Sequence, residues 1–414
     1  MIDNKGALAH LKVLDLSRVL AGPWCTQILA DMGADVIKVE RPEDGDDTRH
    51  WGPPFMPDAS ANPTDQASYF NCTNRNKRSI TINLASSEGQ ALVRRLAAQS
   101  DIVVENFKVG GLKAYGLDYE TLNFINPRLI YCSITGFGQT GPYAQRAGYD
   151  LMIQAMSGMM SITGKPDQAA GGGPQRVGVA LVDLFTGVYA ATAILTALQA
   201  RHHTGQGQYI DMALFDVGMH ILANQAAAFL NTGTLPHRQG NSHPSLAPYQ
   251  DFATADGSFL LAIGNDGQFA RFAQAVGRPE WAQDPRFGSN SLRVQHRDAL
   301  VQAIEDVTRQ RSTADWIKLL EDRAVPCGPI NNIAQAFDEP QVQARAMVVR
   351  QATGLTGPDQ IQQVNSVASP LRLSDHPPVQ RRAAPMLGQH TLEILEQMGL
   401  DPVEIAALQQ KAVV

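Results

Sequence analysis

A lone acid in an apolar run is the first place where this 414-residue chain could do chemistry. The segment Val177–Ala200 reads VGVALVDLFTGVYAATAILTALQA, and Asp183 is its single charged residue. A buried, unpaired carboxylate is costly and drifts toward protonation. Asp183 is therefore either paired with a residue distant in sequence or put to use. Two compatible roles fit its position. In LVDLFTG it stands where an N-cap aspartate belongs, at the start of a helix. A helix N-terminus also favours an ionised, nucleophilic carboxylate against desolvation. The triple glycine at 171–173 gives backbone freedom shortly before it.

A second cluster is cationic. NRNKRSI (Asn74–Ile80) packs three cations into four residues, Arg41 follows an earlier strand, and Lys108 lies in ENFKVGG. If these loops share one sheet edge, they can bind a phosphorylated ligand there. Other chemistries find little support. LDLSRVLAGPW, with Glu40 ending the next strand, has the outline of a dinucleotide turn but only Gly22 in place of GxGxxG, which argues against a nicotinamide or flavin cofactor. No Walker A sequence occurs. The ten histidines are scattered, His202 and His203 are adjacent, and neither HExxH nor paired CxxC is present. They read as surface or hydrogen-bonded residues, with no metal site.

The elements that must position these residues alternate. LKVLDL, ADVIKVE, RSITINL, DIVVENF and LIYCSITGF read as strands; GPWCTQILADMG, EGQALVRRLAAQS and DYETLNFINP between them read as helices. This βαβ rhythm predicts an α/β fold with a parallel sheet whose ligands sit at the carboxyl ends of its strands. QYIDMAL is a further strand leading into an apolar helix. After GNSHPSLAPYQDF the composition changes, and FLLAIG with helices near 266–276, 291–308 and 313–323 predicts a smaller second domain. VPCGPINNI reads as a return linker. The expected division is 1–225 for the first part of a large ligand-binding domain, 226–330 for the small domain, and 331–414 returning to the large one.

Composition sets outer limits. Hydrophobic residues make up 44% and charged residues 18%, ordinary for a globular protein, and the net charge of −6 argues against broad nucleic-acid or anionic-membrane binding. The four cysteines (Cys25, Cys72, Cys132, Cys327) read as free thiols in a reducing compartment. The start MIDNKGALAHLK carries no signal pattern, and the apolar run after Asp183 is about 15 residues against the ~20 needed to span a bilayer. A buried core helix and a cytoplasmic protein are expected.

LKVLDLSRVLAGPWCTQILADMGADVIKVERPEDGDDTR resembles the start of the class III CoA-transferases, the family of formyl-CoA transferase, carnitine CoA-transferase and α-methylacyl-CoA racemase. The resemblance continues in order through NRNKRSI, VENFKVGGL, YCSITGFGQTGPYAQRAGYD, GVALVDLFTGVYA, TGQGQYIDMAL, VPCGPINNI and PMLGQHT. Within the family, GDDTRHWGPPF, SITGFGQTGPYAQRAGYD and PYQDF are most similar to succinyl-CoA:glutarate-type dicarboxylate CoA-transferases. The resemblance implies a large Rossmann-like domain plus a smaller α/β domain in an interlaced homodimer, acyl-CoA and small carboxylic acids as partners, and coenzyme A as substrate with no permanently bound cofactor. It makes Asp183 the nucleophile, passing through a mixed anhydride and an aspartyl-CoA thioester. Succinyl-CoA is the expected donor, and glutarate, itaconate or hydroxymethylglutarate the acceptor.

By the same resemblance Arg18, Val19, Leu20 and Ala21 approach the pantetheine and thioester, Arg41 the adenine, Lys77 and Arg78 the nucleotide phosphates, and Asn106, Phe107 and Lys108 the CoA groove. Thr135 stands where formyl-CoA transferase carries a lysine, and Leu20 where it carries a glutamine, which disfavours formyl or oxalate chemistry. The racemase branch has AGHD where this chain has AGYD; Tyr149 replaces the histidine, and a phenol is a poor partner for two-base proton exchange near neutral pH. For the substrate's distal carboxylate the expected contacts are His243, Ser245 or Tyr249 in the 240–250 loop, with Arg18 or Arg49 as the charged partner. A non-catalytic CoA-binding protein and an NAD-binding enzyme are the remaining alternatives.

Overall fold

The computed structural model describes residues 6–414, which form two compact units. One comprises the chain up to Ser157, Val177–Ala226 and Gln343–Val414; the other comprises Gly158–Arg176 and Ala227–Val342. Compared with the expected division, the second unit also takes in the triple-glycine loop and runs on to Val342.

The first unit is built on six parallel strands: β1 (Lys12–Asp15), β2 (Asp35–Glu40), β3 (Lys77–Thr81), β4 (Ile102–Glu105), β5 (Ile130–Thr135) and β6 (Gln208–Ala213). Their order across the sheet is β3-β2-β1-β4-β5-β6. The order reverses between β1 and β4, and such a switch point leaves a crevice beyond the strand ends. The strands are nearly continuous apolar runs because both faces are covered. Val13, Ile102, Val104, Ile130 and Cys132 pack on one face with the helices Ala21–Asp31 and Leu181–Thr204. Leu14, Val103 and Tyr131 pack on the other with Ser87–Ala98 and Tyr119–Ile125. Successive residues thus serve opposite cores, as the pleat requires.

Leu181–Thr204 is one 24-residue helix and the only one among the described residues long and apolar enough to cross a membrane. It is a core helix, as expected, but buried on one side only. Val182, Ala190, Ile194 and Ala197 are buried, while Phe185, Val188 and Leu195 are exposed. Gly187 lets it lie close to Ala21–Asp31: a Cβ there would stand 2.7 Å from the Ala21 carbonyl oxygen and 3.0 Å from Trp24 Cβ.

The second unit has an antiparallel sheet of β7 (Tyr249–Ala253), β8 (Ser258–Ala262) and β9 (Cys327–Pro329), with β8 in the middle. Phe252, Phe259, Leu261, Phe269, Phe272 and Trp316 form its core. Two details differ from the sequence reading. Residues 327–329 are the third strand of this sheet, because their backbone pairs with Leu261–Phe259. The helix expected at 291–308 breaks at His296 into Asn290–Gln295 and Arg297–Thr308. The four cysteines are free.

Candidate active site

The carboxyl ends of the parallel strands open onto a cavity of about 430 Å³ in the first unit. Arg18, Val19, Leu20 and Ala21 line it after β1, Asp47 and Trp51 after β2, Asn106–Val109 after β4, Ile134–Gly136 at the end of β5, and Leu214 after β6. Asp183 and the segment 144–149 complete the wall. A second cavity of about 460 Å³ adjoins it, lined by Arg41–Asp46, Ile82–Ala85 and Tyr115, and shares Arg18 and Phe107 with the first.

Asp183 is not an N-cap. It is the third residue of its helix, and the N-cap position is Ala180, with no side-chain cap. Capping comes from Asp150, at the start of the helix Asp150–Met156. Asp150 Oδ1 accepts from the backbone N–H of Val182 at 2.8 Å and of Asp183 at 3.3 Å. Its other oxygen accepts from Gln154 Nε2 at 2.6 Å, and Gln154 Oε1 accepts from the Val177 N–H at 3.0 Å. The first-turn donors, orphaned in any helix, are thus met from another segment. The Asp183 carboxylate is left half-buried in the cavity wall with no cation or donor side chain of the described residues bonded to it. Burial, and then the Asp150 charge, push it up to about 7.

Close backbone packing brings Asp150 there. A Cβ on Gly136 would fall 2.6 Å from Gly148 Cα, so the end of β5 and the AGYD turn can touch only as glycines. Tyr149, between Gly148 and Asp150, is 66% exposed and lines the cavity.

The loop after β1 is held in a conformation it would not adopt alone. Val19 has φ +71°, an outlier for a β-branched residue. Its N–H donates to both carboxylate oxygens of Asp46 at 3.2 Å. Asp46 in turn pairs with buried Lys38 at 2.9 Å. On the far side Asn106 closes two bonds with the Arg18 backbone: Oδ1 accepts its N–H at 3.0 Å and Nδ2 donates to its C=O at 2.7 Å. Asp47 faces outward and bridges Arg18 (3.1 Å) and Arg41 (3.2 Å).

Of the residues singled out in the sequence, Asp183, Arg18, Val19, Leu20, Ala21, Asn106, Phe107, Lys108, Thr135 and Tyr149 gather at the first cavity, and Arg41 at the second. Others do not. Lys77 is fully buried, with its ammonium on Asp15, Asn74 and the Pro23 carbonyl. Arg78 is bidentate to Asp35 and also meets Glu393 and Gln397. Arg75 of the same run is bidentate to Asp31. The NRNKRSI cations therefore serve internal ion pairs and are not presented to a phosphate. Arg49 is likewise corrected: it is buried, bidentate to Glu40 at 2.8 and 2.7 Å, and stacked 3.6 Å over Phe70, so no guanidinium edge remains for a substrate. His243, Ser245 and Tyr249 belong to the second unit. There the His243 and Tyr249 rings pack at 5.2 Å, and the Ser245 N–H donates to His243 Nδ1 at 3.0 Å.

The sequence reading passed over Asp150, Asp46, Asp47 and Arg146. Asp150 was in view as the last letter of AGYD, and Asp46 and Asp47 as the acids of GDD. Arg146 carried no local signal. It lines the first cavity, with its guanidinium 4.5 Å over the Tyr143 ring and 5.3 Å over Phe137.

The profile of CoA-transferase family III matches residues 8–391. The chain is 49% identical to a succinate–glutarate CoA-transferase of Agrobacterium fabrum, over 96% of this chain and 97% of that one. It is 41% identical to the succinyl-CoA:glutarate CoA-transferase of Homo sapiens, over 96% of this chain and 87% of the other. Among solved structures, a CAIB/BAIF family protein from Brucella suis superposes with a TM-score of 0.83 at 50% identity, covering 95% of this chain and 99% of that one.

Proposed function

The chain belongs to CoA-transferase family III, and from that premise we propose that it moves coenzyme A from succinyl-CoA to glutarate or a closely related dicarboxylate through covalent attachment at Asp183. The relatives named for succinate–glutarate, succinyl-CoA:glutarate and succinyl-CoA:mesaconate transfer support CoA transfer between an acyl-CoA and a dicarboxylic acid. The donor, the acceptor, the intermediates and the residue roles are this proposal. The observation that carries it is a carboxylate placed in a cavity wall with no cation bonded to it and a second acid at its amide. A carboxylate so placed is destabilised as an anion. Acylation removes its charge, so burial and the Asp150 charge favour the acylated states.

The steps balance without an external energy source. The Asp183 carboxylate attacks the thioester carbon, the C–S bond breaks, and CoA thiolate leaves a mixed anhydride. The thiolate attacks the Asp183 carbonyl carbon, the C–O bond breaks, and succinate departs from an aspartyl-CoA thioester. Glutarate attacks that carbonyl and expels the thiolate. The thiolate then attacks the glutaryl carbon of the new anhydride, which forms glutaryl-CoA and restores the Asp183 carboxylate. Every intermediate, anhydride or thioester, is an activated acyl group, so activation is conserved as long as water is kept out.

The adjoining cavities support a path for CoA. Arg41 flanks the nucleotide end, Arg18 at the junction, the strained Val19 backbone and Asn106–Lys108 follow the stem, and Asp183 meets the thioester. The exposed apolar residues Phe185, Val188 and Leu195 support a homodimer. Tyr149 in the place of the racemase histidine keeps proton exchange second.

The test mixes protein, succinyl-CoA and glutarate and follows acyl-CoA species and intact protein by mass spectrometry. Glutaryl-CoA and a CoA adduct on the protein are expected, with both lost in Asp183→Ala and turnover down by at least about 10³-fold. Product formation undiminished in Asp183→Ala would overturn the covalent role.

A further inference from the structure

We propose that Arg146 is the specificity residue that pairs with the distal carboxylate of the dicarboxylate acid. The inference rests on the dicarboxylate reading above. A C5 diacid that reacts through one carboxylate at Asp183 leaves the other inside the same cavity. There it needs a cation, because a carboxylate leaving water without a partner loses more than its apolar chain gains.

Three cationic side chains line that cavity: Arg18, Lys108 and Arg146. Arg18 is already engaged by Asp47 and stands where the two cavities meet, which suits the CoA stem. Lys108 has no partner among the described residues, but nothing braces its flexible stem. Arg146 has no carboxylate within ion-pair distance among the described residues, and its exposed guanidinium rests against Tyr143 and Phe137 and the Met156 sulfur, which restrict it. A planar fork held in advance loses little freedom on binding and matches a carboxylate with two parallel hydrogen bonds. Arg146 is also four residues before Asp150, the residue bonded to the Asp183 amide, on the segment that forms the wall beside Asp183. An acid bound at both ends would thus be held between two parts of one wall.

The measurement compares glutarate with pentanoate, which has the same carbon chain but lacks the distal carboxylate, as acceptors with succinyl-CoA as donor. In a double-displacement scheme kcat/KM for the acceptor reports the second half-reaction alone, so the donor's own carboxylate drops out. Wild-type enzyme should prefer glutarate. Arg146→Gln should lose that preference by about 10- to 100-fold, through the glutarate KM, with pentanoate unchanged. Arg146→Lys should restore part of it, and Lys108→Met, expected to weaken CoA binding for both acids alike, should leave the glutarate-to-pentanoate ratio as in the wild type. Equal losses on both acids, or a preference that survives in Arg146→Gln, would overturn the assignment and leave the dicarboxylate reading standing. A wild-type enzyme that turns over glutarate no better than pentanoate would overturn both.

Discussion

Two aspartates of the first unit, Asp46 and Asp183, have the same chemistry and opposite fates. Asp46 is buried beneath the loop after β1, bonded to Lys38, the Val19 N–H and both donors of Thr48. Burial pushes its carboxyl up, but Lys38 and these bonds outweigh it and hold the group down at about 2. Asp183 is less buried, yet its nearest charged neighbour has the same sign, and it is pushed up to about 7. Burial does not separate the two; the sign of the partner does. Around Asp46 a bed of closed pairs (Lys38, Glu40–Arg49, Asp15–Lys77) supplies rigidity. Around Asp183 the pairs are missing, which suits the nucleophilic role proposed for it. The first region holds Val19 in its strained form so that the second has a fixed wall facing it.

The largest break of this contrast is Lys38→Met, which makes Asp46 an unpaired buried acid like Asp183. Removing one partner of a buried pair should lower stability by about 3–5 kcal/mol in a urea titration at neutral pH. The sign with pH follows from the depressed Asp46 value. Its contribution is present above the unfolded pKa and is lost as pH falls through about 2, so the deficit of the variant should shrink in acid. A neutral-pH loss under about 1 kcal/mol would mean that the bed does not hold the loop.

Asp150→Asn works on the other pole. The amide oxygen can still accept from Val182 and Asp183, but the like charge is gone. In the proposed mechanism Asp183 attacks as the anion, so activity should rise with pH through about 7 in the wild type. The midpoint of kcat/KM should move down by about half to one unit in the variant. An unmoved midpoint would assign the raised value to burial alone and remove Asp150 from the electrostatics. Gentlest is Arg41→Ala, which breaks an exposed pair with Asp47. Stability should change by less than about 0.5 kcal/mol, while the KM for the acyl-CoA donor rises several-fold and that for the acceptor acid does not. Equal rises in both would remove Arg41 from the nucleotide end.

Local patterns carried much of this protein. The alternation of short apolar runs with helical stretches is a period signal; it located all six parallel strands and pointed to their carboxyl ends, where the cavity lies. Asp183 was legible because a charge in an apolar run is anomalous whatever surrounds it, and the residues following β1 and β4 were legible because they follow strands. What failed were judgements of partnership. A cation looks the same in sequence whether it faces solvent or an acid 44 residues away, as Arg75 faces Asp31. Lys77, Arg78 and Arg49 were misjudged for that reason, and Arg146 was missed for its converse. Asp183 in LVDLFTG had the spacing of a cap, but the cap came from Asp150, 33 residues earlier. The sequence by itself determined the elements, the parallel sheet and the acid at the centre, because periodicity and composition act over a few neighbouring residues. Only the tertiary structure decided which charges are neutralised and which remain available, because electrostatic pairing depends on distance through space, and folding brings together groups that the chain keeps far apart.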